Sequence, residues 1–82
     1  MINKANEKKI EKAVKMIDID NTILFEVERN VSKDKIKSEV EKTFSVKVQL
    51  VRTSIRNNKK YAYVKLNPAN PAIDIATKLG MI

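Results

Sequence analysis

Two adjacent β-strand patterns with a tight turn between them constrain this chain more than any other feature. Residues 46–66 read VKVQLVRTSIRNNKKYAYVKL, a run rich in β-branched and aromatic residues that is interrupted at Asn57-Asn58. Asparagine suits a turn because it tolerates positive φ and can hydrogen-bond its own backbone. The apolar parity of the first arm changes after Leu50, which indicates a twist or a β-bulge. The segment predicts a β-hairpin.

The charge of the chain is concentrated on and beside this hairpin. Seven basic residues and no acidic residue occur from Lys42 to Ile73, while the other ten basic residues are matched by ten acidic ones. A solvated lysine face would explain part of this pattern. Surface lysines of that ordinary kind are interleaved with acids, as they are in the other parts of this chain. The pattern therefore favours a site for a polyanion, with nucleic acid as the leading candidate.

Composition argues against an enzyme. The chain has no His and no Cys, which removes most acid–base, nucleophilic and zinc sites, and its single glycine, Gly80, cannot build a phosphate-cradling loop. Asp18 and Asp20 are interpreted as part of a turn rather than as a metal site. We expect no cofactor and no small-molecule substrate.

The apolar runs are too short to cross a bilayer, so no membrane insertion is expected. The length of 82 residues predicts one domain spanning 1–82.

The N-terminal half predicts a helix, a strand and a second helix. Residues 7–17 carry apolar side chains at helical spacing after Asn6, a candidate N-cap. Residues 22–28 alternate as a strand does, and Ser32 is a candidate N-cap for the second helix. The apolar stripe of the first predicted helix consists of Ile10, Ala13, Val14 and Ile17, and that of the second consists of Ile36, Val40 and Phe44.

The C-terminal segment predicts a third helix. Asn70 is a candidate N-cap, Pro71 suits the first helical position, and Gly80 suits the left-handed position that ends a helix. The expected fold is α+β, with a small, mainly antiparallel sheet of three main strands packed with three helices. Its strand order is first-third-second, a split β-α-β arrangement in which the second hairpin strand lies between the other two.

The residues also resemble a known family, the ribosomal large-subunit protein numbered twenty-three, in its archaeal type. The similarity covers nearly the whole chain, although each motif alone is weak. The matching segments are residues 23–27, 32–44, 44–48, 51–53, 59–66 and 75–82.

This resemblance implies a structural ribosomal protein of the cytoplasmic large subunit. Such a protein binds the large-subunit (23S) rRNA near the nascent-peptide exit tunnel, beside neighbouring ribosomal proteins. It also offers a docking surface to targeting and chaperone factors, namely the signal recognition particle and the translocon. Three departures stand out: Asn6 starts a segment where the family has Thr or Ser, Arg52 replaces a common Asn, and residues 56–59 form a short turn where bacterial members carry a long loop.

The candidate site residues follow from the hairpin and from the resemblance. Arginine can fork onto phosphate oxygens, lysine acts as a point charge, and tyrosine can stack on an unpaired base or simply cover the sheet. Glu7 and Phe44 match the family's docking residues; Glu7 could instead be an ordinary first-turn acid, and Phe44 an ordinary core-edge residue. The predicted rRNA-binding residues are Arg52, Thr53, Arg56, Asn57, Asn58, Lys59, Lys60, Tyr61, Lys4, Lys8 and Lys9.

Two other functions remain open from the sequence. One is a small archaeal chromatin-type protein that coats duplex DNA through a basic hairpin. The other is a protein-interaction module whose basic face meets an acidic partner.

Overall fold

A four-stranded antiparallel sheet with two helices forms the described part of the chain. The computed structural model describes residues 10–80, and the elements in chain order are β1 (Ile10–Ile17), β2 (Thr22–Val27), α1 (Lys33–Phe44), β3 (Val48–Arg56), β4 (Lys59–Leu66) and α2 (Ala72–Lys78). The strand order is β1-β2-β4-β3, and every neighbouring pair is antiparallel. The expected class, α+β, agrees with this arrangement, but the expected three strands and three helices are wrong.

The first predicted helix is the main error, because residues 10–17 form strand β1. Two β-bulges in β1 shift its register against β2, so Ile10, Ala13 and Met16 pair with Val27, Phe25 and Ile23. Core-facing residues therefore recur every three positions in β1 and every two positions in β2. The three-residue spacing in β1 resembles the apolar stripe of a helix. Ala13 and Met16 pack against the core, whereas Val14, which was expected to be buried, is 45% exposed.

The hairpin prediction is confirmed. Strands β3 and β4 pair from Arg56↔Lys59 to Val48↔Leu66 around a turn at Asn57 and Asn58. Both asparagines have positive φ, 51° and 65°, as the turn of a two-residue hairpin requires. The bulge expected in the first arm lies between Val48 and Leu50. Beyond it Val51 faces the core, which explains the change of apolar parity in the sequence.

One face of the sheet carries the helices and the core. Helix α1 packs against β3 and β4, and α2 packs against β1 and β2. This helix-covered surface of the sheet is the inner face. The fully buried side chains with the largest volumes are Phe25, Ile23, Ile36, Leu66, Ile75, Val40 and Val64.

The two helix starts differ in how far the sequence predicted them. Ser32 caps α1 as expected, because its hydroxyl accepts a hydrogen bond from the Lys35 backbone N–H at 3.3 Å. The predicted cap at Asn70 is wrong: Pro71 is the N-cap residue of α2, and the Asn70 side-chain oxygen accepts from the Lys47 backbone N–H at 2.9 Å. Gly80 follows α2 with φ +75°, the left-handed conformation expected at a helix end.

In residues 10–80, neither helix has the length and apolar character that a membrane span requires.

Candidate nucleic-acid interface

The sheet surface opposite the helices is basic, and neither α1 nor α2 covers it. We call it the outer face and assign residues to it from the strand pairing, because directly paired residues share a face and successive residues of a strand point to opposite faces. Of the described residues, this face holds six basic side chains and one carboxylate, Glu26. Its members are Lys12, Lys15, Ile17, Thr22, Leu24, Glu26, Leu50, Arg52, Ser54, Arg56, Lys59, Tyr61, Tyr63 and Lys65.

Cross-strand pairing arranges these residues in rows. One row runs Lys15, Leu24, Tyr63, Arg52 across β1, β2, β4 and β3. The Tyr63 ring thus lies beside Arg52 and two strands away from Lys15. A second row runs Ile17, Thr22, Lys65, Leu50, and a third runs Lys12, Glu26, Tyr61, Ser54. Neighbouring strands lie about 4.7–4.9 Å apart, so each row is a continuous strip about three strand spacings long.

The predicted site residues of the hairpin divide between the two faces. Arg52, Arg56, Lys59 and Tyr61 lie together on the outer face, next to the exposed turn formed by Asn57 and Asn58. Thr53 pairs with the buried Ala62 and therefore belongs to the inner face.

Lys60 also belongs to the inner face. Its ammonium donates a hydrogen bond to the backbone carbonyl of Val31 at 2.7 Å, in a half-buried position. This contact joins β4 to the segment that precedes α1. The geometry therefore favours a structural role for Lys60, in contrast to its neighbour Lys59.

Arg56 organises the aromatic part of the outer face. Its guanidinium carbon lies 5.4 Å from the centroid of the Tyr61 ring, within the range of a cation–π contact. The same guanidinium donates a hydrogen bond to the Tyr63 hydroxyl at 2.9 Å. One arginine thus contacts both tyrosines and retains further N–H donors for an anion.

Glu26 moderates the positive charge at the hairpin end. Its side chain is only 13% exposed, and its two oxygens lie 3.9 Å from the Lys12 ammonium and 3.6 Å from the Lys59 ammonium. These are long ion pairs near solvent, so they contribute little to stability. A carboxylate in the middle of a cationic surface also repels an approaching phosphate.

Four outer-face residues were missed as site residues by the sequence prediction. Tyr63 and Lys65 share the parity of Tyr61 in β4, so their alternation was a signal that could have included them. Lys12 and Lys15 gave no such signal, since residues 10–17 were expected to be helical. They reach the outer face only because β1 pairs with β2.

The other candidates lie elsewhere. Phe44 is half-buried at the end of α1 and packs against the core. Lys4, Lys8, Lys9 and Glu7 fall outside the described residues. Among the residues that are described, no group of three or more Asp, Glu, His or Cys side chains is placed to hold a metal ion.

Comparison with known proteins decides the family. The family model described as ribosomal protein L23 matches residues 7–73. The chain belongs to the ribosomal protein L23 family. It is also 44% identical to the large ribosomal subunit protein uL23 of the archaeon Caldivirga maquilingensis. The aligned 73 residues cover 88% of this chain and 85% of that protein.

Membership of the L23 family confirms the broad sequence-based predictions. The chain is a structural component of the large ribosomal subunit and acts in translation in the cytoplasm, and it is not an enzyme. Its surroundings in the subunit are rRNA and other ribosomal proteins. The resemblance to the archaeal type of the family is likewise confirmed.

Proposed function

We propose that the chain anchors itself to large-subunit rRNA near the nascent-peptide exit tunnel through its outer face and the adjoining hairpin turn. The observation that carries this proposal is the gathering of six cations and two tyrosines on the one sheet face that the helices leave open. Lysine and arginine neutralise phosphates and release counterions, which provides most of the binding free energy and makes it depend on salt.

The hairpin turn extends this surface. Asn57 and Asn58 are exposed beyond the ends of β3 and β4, so their amides are free to hydrogen-bond ribose hydroxyls or base edges. Their positive φ angles make both asparagines part of the turn itself. They therefore have a structural role and, in this proposal, a binding role.

The test is the salt dependence of binding to an rRNA fragment from the proposed region. If about five phosphates are neutralised, the logarithm of the association constant plotted against log salt should have a slope of roughly −4. The triple variant Arg52→Ala, Arg56→Ala, Lys59→Ala should flatten the slope by about 2–3. A matched control replaces Lys33, Lys35 and Lys37, three exposed lysines of α1, and removes the same charge from the opposite layer.

The control separates site binding from general attraction. Equal losses in both triple variants would show that the outer face is not the binding surface. Equal affinity of the parent for random duplex DNA would favour a chromatin-type coat over rRNA recognition. Retention on large subunits through a high-salt wash would support the rRNA proposal.

We further propose that the helical layer serves the docking of targeting factors. If the outer face is covered by rRNA, α1 and α2 are the surfaces that remain free, and Phe44 lies at the end of α1. Reversing the second proposed docking residue, Glu7→Lys, should reduce binding of the signal recognition particle to ribosomes that carry the variant, since a rim charge is inverted. Incorporation into subunits should be unchanged. Unaltered factor binding would remove Glu7 from the docking surface.

A further inference from the structure

A groove crosses the outer face at the end away from the hairpin turn. Its volume is about 570 Å³, and its lining includes Tyr63, Arg52, Lys65, Leu50, Ile17 and Asp20. This volume falls within the range of about 300–1,000 Å³ that small-molecule sites occupy. The groove therefore has room for a group the size of one nucleotide.

The two tyrosines of the outer face differ in what covers them. The Arg56 guanidinium lies over the Tyr61 ring at 5.4 Å, so one face of that ring already has a cationic partner. Arg56 contacts Tyr63 through the hydroxyl, at 2.9 Å, and Tyr63 lines the groove. Tyr63, rather than Tyr61, is thus the aromatic residue placed to receive a flat ligand.

The remaining lining divides the groove by polarity. Leu50 is 47% exposed and Ile17 is half-buried, and these two provide apolar walls at the two ends of the row that also contains Lys65. Arg52 in β3 pairs directly with Tyr63 in β4, and Lys65 lies two residues after Tyr63 in β4. Asp20 lines the groove as well, and its carboxylate repels phosphate. A bound phosphate must therefore lie toward Arg52 and Lys65, with the uncharged sugar or base edge toward Asp20.

We propose that this groove holds one unpaired nucleotide of RNA, with its base stacked on Tyr63 and its phosphate held by Arg52 and Lys65. A base inside a duplex has both faces stacked on its neighbours, so only a base outside a helix can lie on a tyrosine ring. The inference rests on the proposed rRNA function and assigns that function a subsite. It makes the protein selective for an RNA with a bulged or looped-out base, which phosphate contacts alone would not do.

The experiment compares two RNA hairpins of the same length by fluorescence titration. One carries a single bulged 2-aminopurine nucleotide and the other is fully paired. The parent should bind the bulged hairpin about 5- to 100-fold more tightly, as expected for one stacked base, and should quench the 2-aminopurine. Tyr63→Leu should abolish both the preference and the quenching. Tyr63→Phe keeps the ring and should retain both.

Tyr61→Leu is the matched comparison, because it removes the same ring from the same strand face. It should weaken both hairpins alike and leave their affinity ratio unchanged. Thermal melts of all variants establish that they are folded. Equal affinity for the two hairpins, or a preference that survives Tyr63→Leu, would overturn the nucleotide site while leaving phosphate binding in place. Failure to bind either hairpin above random duplex DNA would instead overturn the proposed function.

Discussion

The side-chain oxygen of Asn21 accepts a hydrogen bond from the backbone N–H of Ala72 at 2.6 Å, which joins residues 51 positions apart. The amide nitrogen of Asn21 donates to one carbonyl at the end of β4 and to two carbonyls of the segment between β4 and α2, at 3.2–3.3 Å. Its backbone has φ +52°, in the left-handed region. One asparagine in the β1–β2 turn therefore fixes that turn to the start of α2. Its acceptors are the carbonyls of Leu66, Asn67 and Asn70.

Asn21→Ala should therefore destabilise the domain by about 2–4 kcal/mol, because hydrogen bonds are lost and alanine is forced into a left-handed conformation. Urea unfolding measures the change. Asn21→Gly removes the side chain but tolerates positive φ, so it should recover about 1 kcal/mol of the loss. A change below about 0.5 kcal/mol in the alanine variant would mean that this junction does not form in solution.

Val64→Asp should leave the isolated domain unfolded or without a cooperative transition. Val64 is fully buried and pairs with Ile23 on one side and Val51 on the other. An unpaired carboxylate there costs several kcal/mol, a large part of a typical stability of about 5–15 kcal/mol. Lys65→Asp places the same group on the next residue, which is on the outer face, and should remain folded. A cooperative melt of Val64→Asp close to that of the parent would contradict the position of β4 within the sheet.

Lys59 and Lys60 are adjacent in sequence but should differ in function. Lys59→Ala should reduce the magnitude of the salt slope for RNA binding by about 1, because an outer-face charge is lost. Lys60→Ala should leave the slope unchanged and lower stability by about 1–2 kcal/mol, because the Val31 carbonyl loses its donor. Titrations at several salt concentrations and urea unfolding test both variants. The reverse pattern would place Lys60 in the RNA interface.

Glu26→Gln should strengthen RNA binding, because it removes the one carboxylate that the described strand pairs place on the outer face and releases Lys12 and Lys59. We expect a gain of about two- to tenfold at low salt that shrinks as salt rises. Glu39→Gln, the same change on α1, is the control and should alter affinity less. Equal effects of the two substitutions would indicate that only net charge matters, and not its position on the outer face.

Local sequence patterns were sufficient for the hairpin and for α1. The Asn57-Asn58 turn, the alternation of β4 and the Ser32 cap each depend on residues within a few positions of one another, so the pattern alone predicts them. The bulge in β3 was predicted for the same reason: its change of parity is visible between Leu50 and Val51.

The candidate site was predicted only as far as the hairpin was. Charge and alternation indicated Arg52, Arg56, Lys59 and Tyr61, and the structure places these residues on one face. Whether a given cation faces the helices or solvent depends on register, and for this reason Lys60 was grouped with Lys59. The covering of Tyr61 by Arg56 is a contact between side chains in neighbouring strands, which no local pattern encodes.

The sequence by itself determined a basic β-hairpin, a capped amphipathic helix and the L23 family resemblance, because each depends on near neighbours or on the order of residue types. The tertiary structure decided that residues 10–17 form a strand. An isolated stretch with apolar residues at every third position fits a helix, and only pairing with β2 through two bulges makes it a strand. That pairing brings Lys12 and Lys15 to the outer face, and the Asn21 junction holds the turn between the two strands. Hydrogen bonds between distant segments, rather than local periodicity, thus set the extent of the basic face.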